Sequence, residues 1–174
     1  MRLTRWLIFS IAASLLVLAA CSDDGDSASP FELLSPLAGE WSGVWNNDTS
    51  GSSAPITMSI VVNEDGTASF AFDLPAADSG SPFGVIAIGP QTFDGTYDEN
   101  GLSVIVRGDG LFGDMNVTIS LEGDLIAEAT MAGVLDIVAL TVRGSFDGSG
   151  MDITYTVRFP GDSGASGTAT LSKS

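Results

Sequence analysis

Apolar and polar residues alternate with a period of two along most of the chain. Ile56, Met58, Ile60 and Val62 share one face of an extended segment, with Thr57, Ser59 and Asn63 on the other. Ala68, Phe70 and Phe72 follow the same rule, as do Val117, Ile119 and Leu121. The longest run is Met151, Ile153, Tyr155, Val157 and Phe159 against Asp152, Thr154, Thr156 and Arg158. Pairs suited to tight turns separate these runs: Asp65-Gly66, Asn100-Gly101, Glu122-Gly123 and Asp147-Gly148. Short strands at regular spacing, with no helical period, predict an all-β antiparallel up-and-down meander. About eight to ten strands are expected, closing into a barrel that leaves no edge strand open.

An internal repeat reinforces that reading. Gly84-Val85-Ile86-Ala87-Ile88 matches Gly133-Val134-Leu135-Asp136-Ile137, and Gly95-Thr96-Tyr97-Asp98 matches Gly144-Ser145-Phe146-Asp147 at the same separation. Gly43-Val44-Trp45 is a weaker third copy. A glycine two residues before an aromatic predicts a bend whose bare backbone the ring covers. Two full copies are too few for a solenoid, so the repeat reads as pseudo-symmetry within one sheet.

The N-terminus is different in kind. Arg2 and Arg5 precede an uncharged, mostly apolar run from Trp6 to Ala20. That run is shorter than the about 20 residues a spanning helix needs, and it has the form of a secretory signal. It closes on Leu18-Ala19-Ala20-Cys21, which resembles the lipobox of bacterial lipoproteins. The resemblance implies cleavage before Cys21, a diacylglycerol on its thiol, and further acylation of the new amine. Cys21 is then an anchor and not a nucleophile, since two or three acyl chains hold a protein on a membrane where one does not. Ser22 in place of an aspartate implies the outer membrane in a diderm host. The expected organisation is a signal peptide at 1–20, a lipidated cysteine with an acidic tether at 21–36, and the barrel at 37–174. Ser22 to Ser29 is too polar to fold alone, whereas Phe31 to Leu34 could pack on the domain as a turn of helix.

The barrel opens with Trp41-Ser42-Gly43-Val44-Trp45. A Gly-x-Trp on the first strand resembles lipocalins, avidins and related calycin barrels. In those families the tryptophan plugs one end and an arginine from a late strand lies across it. The resemblance implies a plug at Trp41, with Arg158 as its cation and Arg143 as the other candidate.

Composition removes several classes of function. With 22 acidic and 6 basic residues the formal charge is −16; without Arg2 and Arg5 it is −18. Nucleic-acid binding needs basic residues this chain lacks, so no nucleic-acid partner is expected. There is no histidine and one cysteine. A histidine triad, an imidazole zinc site and an intrachain disulfide are therefore excluded, and no cofactor is implied. Lys173, in the terminal tail, offers no base for a serine nucleophile. Asp94, Asp98, Glu99, Asp109, Asp114, Asp147 and Asp152 cluster around turns, where aspartate caps backbone groups. A calcium loop pattern is absent, leaving Asp147 to Asp152 at best a weak site and no metal expected. A carboxylate-dependent hydrolase is the least favoured activity.

The aromatics remain. Trp41, Trp45, Phe70, Phe72, Tyr97 and the neighbouring Phe93 and Phe112 suit a ligand pocket or a barrel plug, and they equally suit a filled core. Phe83 and Phe112, in loops of small polar residues, are candidates for a lid at a barrel mouth, and they equally suit local plugs tucked back into the barrel. The expected function is a non-enzymatic envelope lipoprotein binding an apolar small molecule or a protein partner; a structural or assembly accessory with a solid barrel is the alternative. Cys21→Ser is expected to leave the protein in the soluble fraction without the mass of a lipid, read by membrane fractionation and intact mass.

Overall fold

The computed structural model describes residues 28–74, 88–130 and 138–174. Cys21, the signal segment, Phe83 and the first halves of the two full repeats lie outside the described residues, apart from Ile88. A short helix, α1 (Pro30–Leu34), and a 3₁₀ turn (Ser35–Leu37) precede ten strands. These are β1 (Gly39–Asn47), β2 (Ser52–Val62), β3 (Thr67–Leu74), β4 (Ile88–Asp98) and β5 (Gly101–Asp109), then β6 (Gly113–Ile119), β7 (Asp124–Thr130), β8 (Ala139–Phe146), β9 (Gly150–Arg158) and β10 (Gly164–Lys173). Each strand pairs antiparallel with its sequence neighbours, and β10 returns to β1 to close the barrel. The closing seam runs from Trp41↔Lys173 to Asn47↔Gly167.

Alternation places one face of each strand inside. Trp41, Trp45 and Asn47 of β1 are buried, while Ser42, Val44 and Asn46 are exposed. Met115, Val117 and Ile119 of β6 and Met151, Ile153, Tyr155 and Val157 of β9 repeat the pattern. Burying one such aliphatic side chain stabilises by about 1.5–3 kcal/mol, so a one-residue slip on any strand would lose several of these at once.

The two ends of the barrel are built differently. Turns at Asn63–Gly66, Glu99–Asn100, Ser120–Gly123 and Asp147–Ser149 gather at one end. They are stitched there: Tyr97 N–H donates to the Gly66 carbonyl, Phe146 N–H to Gly123 and Lys173 N–H to Ser149. The N-terminal segment lies across this end. Ser29 caps α1 through a reciprocal pair of bonds with Glu32, and Leu34 and Leu37 are buried beneath it. Phe31 to Leu34 form the expected turn of helix packed on the domain, so the tether expected over 21–36 gives way to the capped end from Ser29 onward, because Leu34 and Leu37 have apolar surface to bury. The opposite end carries the β1–β2 turn, the β5–β6 turn and the β9–β10 connection.

Ten strands must curve continuously to close, and the repeat glycines sit where curvature brings backbones together. A Cβ added at Gly43 would lie 2.0 Å from the Thr170 carbonyl oxygen; at Gly95 it would lie 2.5 Å from that of Ser103, and at Gly144 2.8 Å from that of Asp152. Each glycine faces inward two residues before an aromatic: Trp45, Tyr97 and Phe146. Gly43→Ala is expected to destabilise the barrel by at least the upper part of the about 1–3 kcal/mol typical of overpacking. Gly89→Ala, with open space around its Cβ, should change stability little; urea unfolding midpoints compare the two.

Candidate functional site

The capped end is sealed from inside by Trp41, which is 1 % exposed. Its indole N–H donates to the Leu37 carbonyl at 3.0 Å, and Phe146 meets its ring edge-on at 5.1 Å between centroids. The cation above the ring is Lys173, whose Nζ lies 5.6 Å from the ring centroid and donates to the Pro36 carbonyl at 2.9 Å. Arg158, expected in that role, is exposed at the far end of β9, opposite Ala139 and Gly164. Arg143 is exposed on the outer wall. The sequence reading placed Lys173 in a tail; β10 in fact extends to it and brings it opposite Trp41. Tyr97, also named for the pocket, sits at the capped end instead. Its hydroxyl donates to the Asn63 carbonyl of the adjacent turn.

Between Trp41 and the opposite end lies a cavity. Trp45, Phe70 and Phe72 line it, together with Ile56, Met58, Leu74, Phe112, Met115, Val117, Leu125, Ala127, Ala129, Leu140, Val142 and Ile153. No polar side chain is among them. Its volume is about 90 Å³, against the roughly 10–15 Å³ that holds one water. An aromatic group forms the wall toward the opposite end. Phe72 lies 5.7 Å from Phe70, 6.2 Å from Phe93 and 5.9 Å from Phe112, and Phe93 lies 6.0 Å from Phe112. Edge-to-face and tilted pairs at these distances add about 0.5–1.5 kcal/mol each beyond area burial. Of the two arrangements open to Phe112, a lid or an inward plug, the structure shows the second: the ring is 2 % exposed and folded into this group.

Behind Trp45 the wall is stiffened by Tyr155, stacked on its ring at 4.2 Å. Burial pushes the Tyr155 phenol up to about 12, with a hydrogen bond to the Trp45 side chain acting in the other direction and Asp48 adding repulsion of the phenolate. Gly167 makes room for that ring, since a Cβ there would meet Tyr155 Cε1 at 2.3 Å. Asn47 Oδ1 accepts from Thr49 N–H and Ser50 N–H and so orders the β1–β2 turn.

The carboxylates serve the turns. Asp147 Oδ1 accepts from Gly150 N–H, Ser149 N–H and Ser149 Oγ, which lowers its pKa, Gly150 contributing most. Asp65 is lowered likewise by the Thr67 side chain and then its N–H. Asp152 accepts from Thr170 Oγ1 on the outer wall. Among the described residues no group of three or more carboxylates or thiols is placed to hold a metal ion.

No protein-family model matches the chain, and no curated protein is significantly similar to it. Similar folds are known among solved structures. The crystal structure of Rv2717c from M. tuberculosis matches at 15 % identity with a TM-score of 0.60, over 86 % of this chain and 99 % of that one. A redesigned β-barrel matches at 14 % identity with a TM-score of 0.41, over 82 % and 95 %. At such identity the likeness to Rv2717c shows a shared fold and nothing finer. This chain is a closed ten-stranded β-barrel.

Tyr155 provides a check on the wall. The folded pKa lies above the unfolded value of about 10, so the neutral phenol stabilises the fold below pH 10 and that contribution is lost as pH rises through 12. Of the two tyrosines, one is expected to ionise near pH 12 in phenolate absorbance, and Tyr155→Phe should remove that step.

Proposed function

We propose that the protein is a non-enzymatic binder of an apolar small molecule, which it holds inside the barrel while a lipid on Cys21 anchors it to the cell envelope. The observation carrying the binding reading is the cavity lining, in which the described residues carry no polar side-chain atom except the Trp45 indole nitrogen, which faces Tyr155. A cavity of this kind stays dry, and the free energy of filling it comes from removing apolar surface from water and restoring dispersion contacts. Nothing in the lining could polarise a bond or move a proton, which supports a binder over a catalyst. The anchor reading is supported by Leu18 to Cys21, and Ser22 favours the outer membrane in a diderm host.

A filled barrel working through its outer wall has weaker support. Among the described residues the exposed large apolar side chains, Leu33, Val44, Val61, Ile105, Ile126 and Val138, are spread over α1, β1, β2, β5, β7 and the approach to β8, and scattered exposed apolar residues are ordinary on a protein surface.

Toluene, used as a probe, is expected to shift the methyl NMR signals of Met58 and Met115, which line the cavity, and to leave Met151 near the capped end unmoved. Ala127→Phe, filling the cavity from β7, should abolish those shifts. Unmoved Met58 and Met115 signals at toluene saturation would remove the binding reading.

A further inference from the structure

The cavity as it stands is small for an organic ligand. Its space of about 90 Å³ falls short of the roughly 150 Å³ apolar cavity that accepts benzene. A ligand of one ring therefore needs part of the wall to yield. Fourteen of the lining side chains come from strands held by partners on both sides. Among the described lining residues only Phe112 comes from a turn, the one joining β5 to β6.

That turn is built as a separable unit. Gly108 and Gly113 bracket it at φ 64° and 62°, a left-handed backbone that glycine adopts without strain. The β5–β6 ladder shifts register between Val106 and Asp109, so regular pairing gives way where the turn begins. Inside the turn, Asp109 Oδ1 accepts from Leu111 N–H and Phe112 N–H, both at 2.8 Å, and Asp114 Oδ1 accepts from Gly108 N–H at 3.0 Å. The turn is held to the barrel by the Asp109↔Gly113 and Gly113↔Thr130 pairings at its base, by half-buried Leu111 against the core, and by the Phe112 ring, packed against Phe72 and Phe93.

We propose that Phe112 is a displaceable plug: its ring occupies the space that an uncharged, single-ring apolar ligand takes on binding, and the turn swings about Gly108 and Gly113 to release it. The proposal rests on the cavity being the ligand site. Ring for ring, the ligand restores the edge contacts to Phe72 and Phe93 that Phe112 gives up. An uncharged ligand follows from the lining, which offers no partner to an ion, and from a chain of net charge −16 that repels anions.

Plug and ligand compete for one volume, so the sign of a truncation separates a plug from a wall. Removing a plug raises affinity, because the competent state no longer has to be opened; removing a wall lowers it. In the full chain carrying Cys21→Ser, toluene affinity is read from the Met58 and Met115 methyl signals. Phe112→Ala is expected to bind roughly tenfold more tightly, the factor for an open state populated at about 10 %. Asp109→Ala, which loosens the turn and leaves the ring in place, should move the same way. Equal or weaker binding by Phe112→Ala, with wild type still binding, overturns the plug alone. Where Phe112→Ala fails to fold, Asp109→Ala decides, and unchanged or weaker binding overturns the plug. Benzoate binding as tightly as toluene overturns the uncharged ligand. Absence of toluene binding in wild type and both variants removes the ligand site as well as the plug.

Discussion

Closure of β1 onto β10 is the contact on which the other features depend. It joins residues near the two ends of the described chain, Trp41 to Lys173, and removes the two edges that an open ten-stranded meander would expose. It also fixes the circumference. A barrel of this many strands is too wide for its side chains to meet everywhere across the middle, and the apolar cavity is the space left over. The glycine bends follow from the same requirement, since Gly43, Gly95 and Gly144 lie where neighbouring backbones come too close for any Cβ.

Closure also explains the asymmetry between the ends. The seam brings Lys173 beside Trp41 and Pro36, so the last strand holds the segment that covers the capped end. Buried Leu34, Leu37 and Trp41, with Phe146 edge-on to Trp41, then form the floor of that end. The opposite end has an aromatic group, one of whose rings is carried by a turn. In the proposed binding function one end stays firm and the other yields, and the difference comes from what carries the rings: strands at the floor, a turn at the opposite end.

Much of this was legible in the sequence where alternation involves large residues. β2, β6 and β9 declare themselves through Ile56–Met58–Ile60, Val117–Ile119 and Met151–Ile153–Tyr155–Val157, and the repeat pointed to inward glycines before aromatic rings. β10 was harder, because its inward positions include Ala165, Gly167 and Ala169, which are small to accommodate Tyr155 and the β1 seam. Missing it left Lys173 in a tail and sent the search for a cation to Arg158. Periodicity assigns a residue to a face but not to an end of the barrel, so Tyr97 was grouped with a pocket it does not reach. Phe112 is legible as an aromatic suited to a pocket or plug, but its polar and glycine neighbours are equally compatible with a lid, and only the three-dimensional path of the turn shows the ring going inward.

The seam has a consequence for how the chain comes to be folded. A barrel that closes through β10 has no complete hydrogen-bonded sheet until that strand is in place, however much of the meander has formed. Until then the outer edge of β1 and the leading strand stand open, each a template for pairing with another chain. Contacts between residues this far apart are slow to form, because the loop entropy must be overcome before they contribute. The ring thus turns the C-terminal strand into the step that ends the chain's exposure to aggregation, and a chain cut before β10 would keep both edges for its whole lifetime.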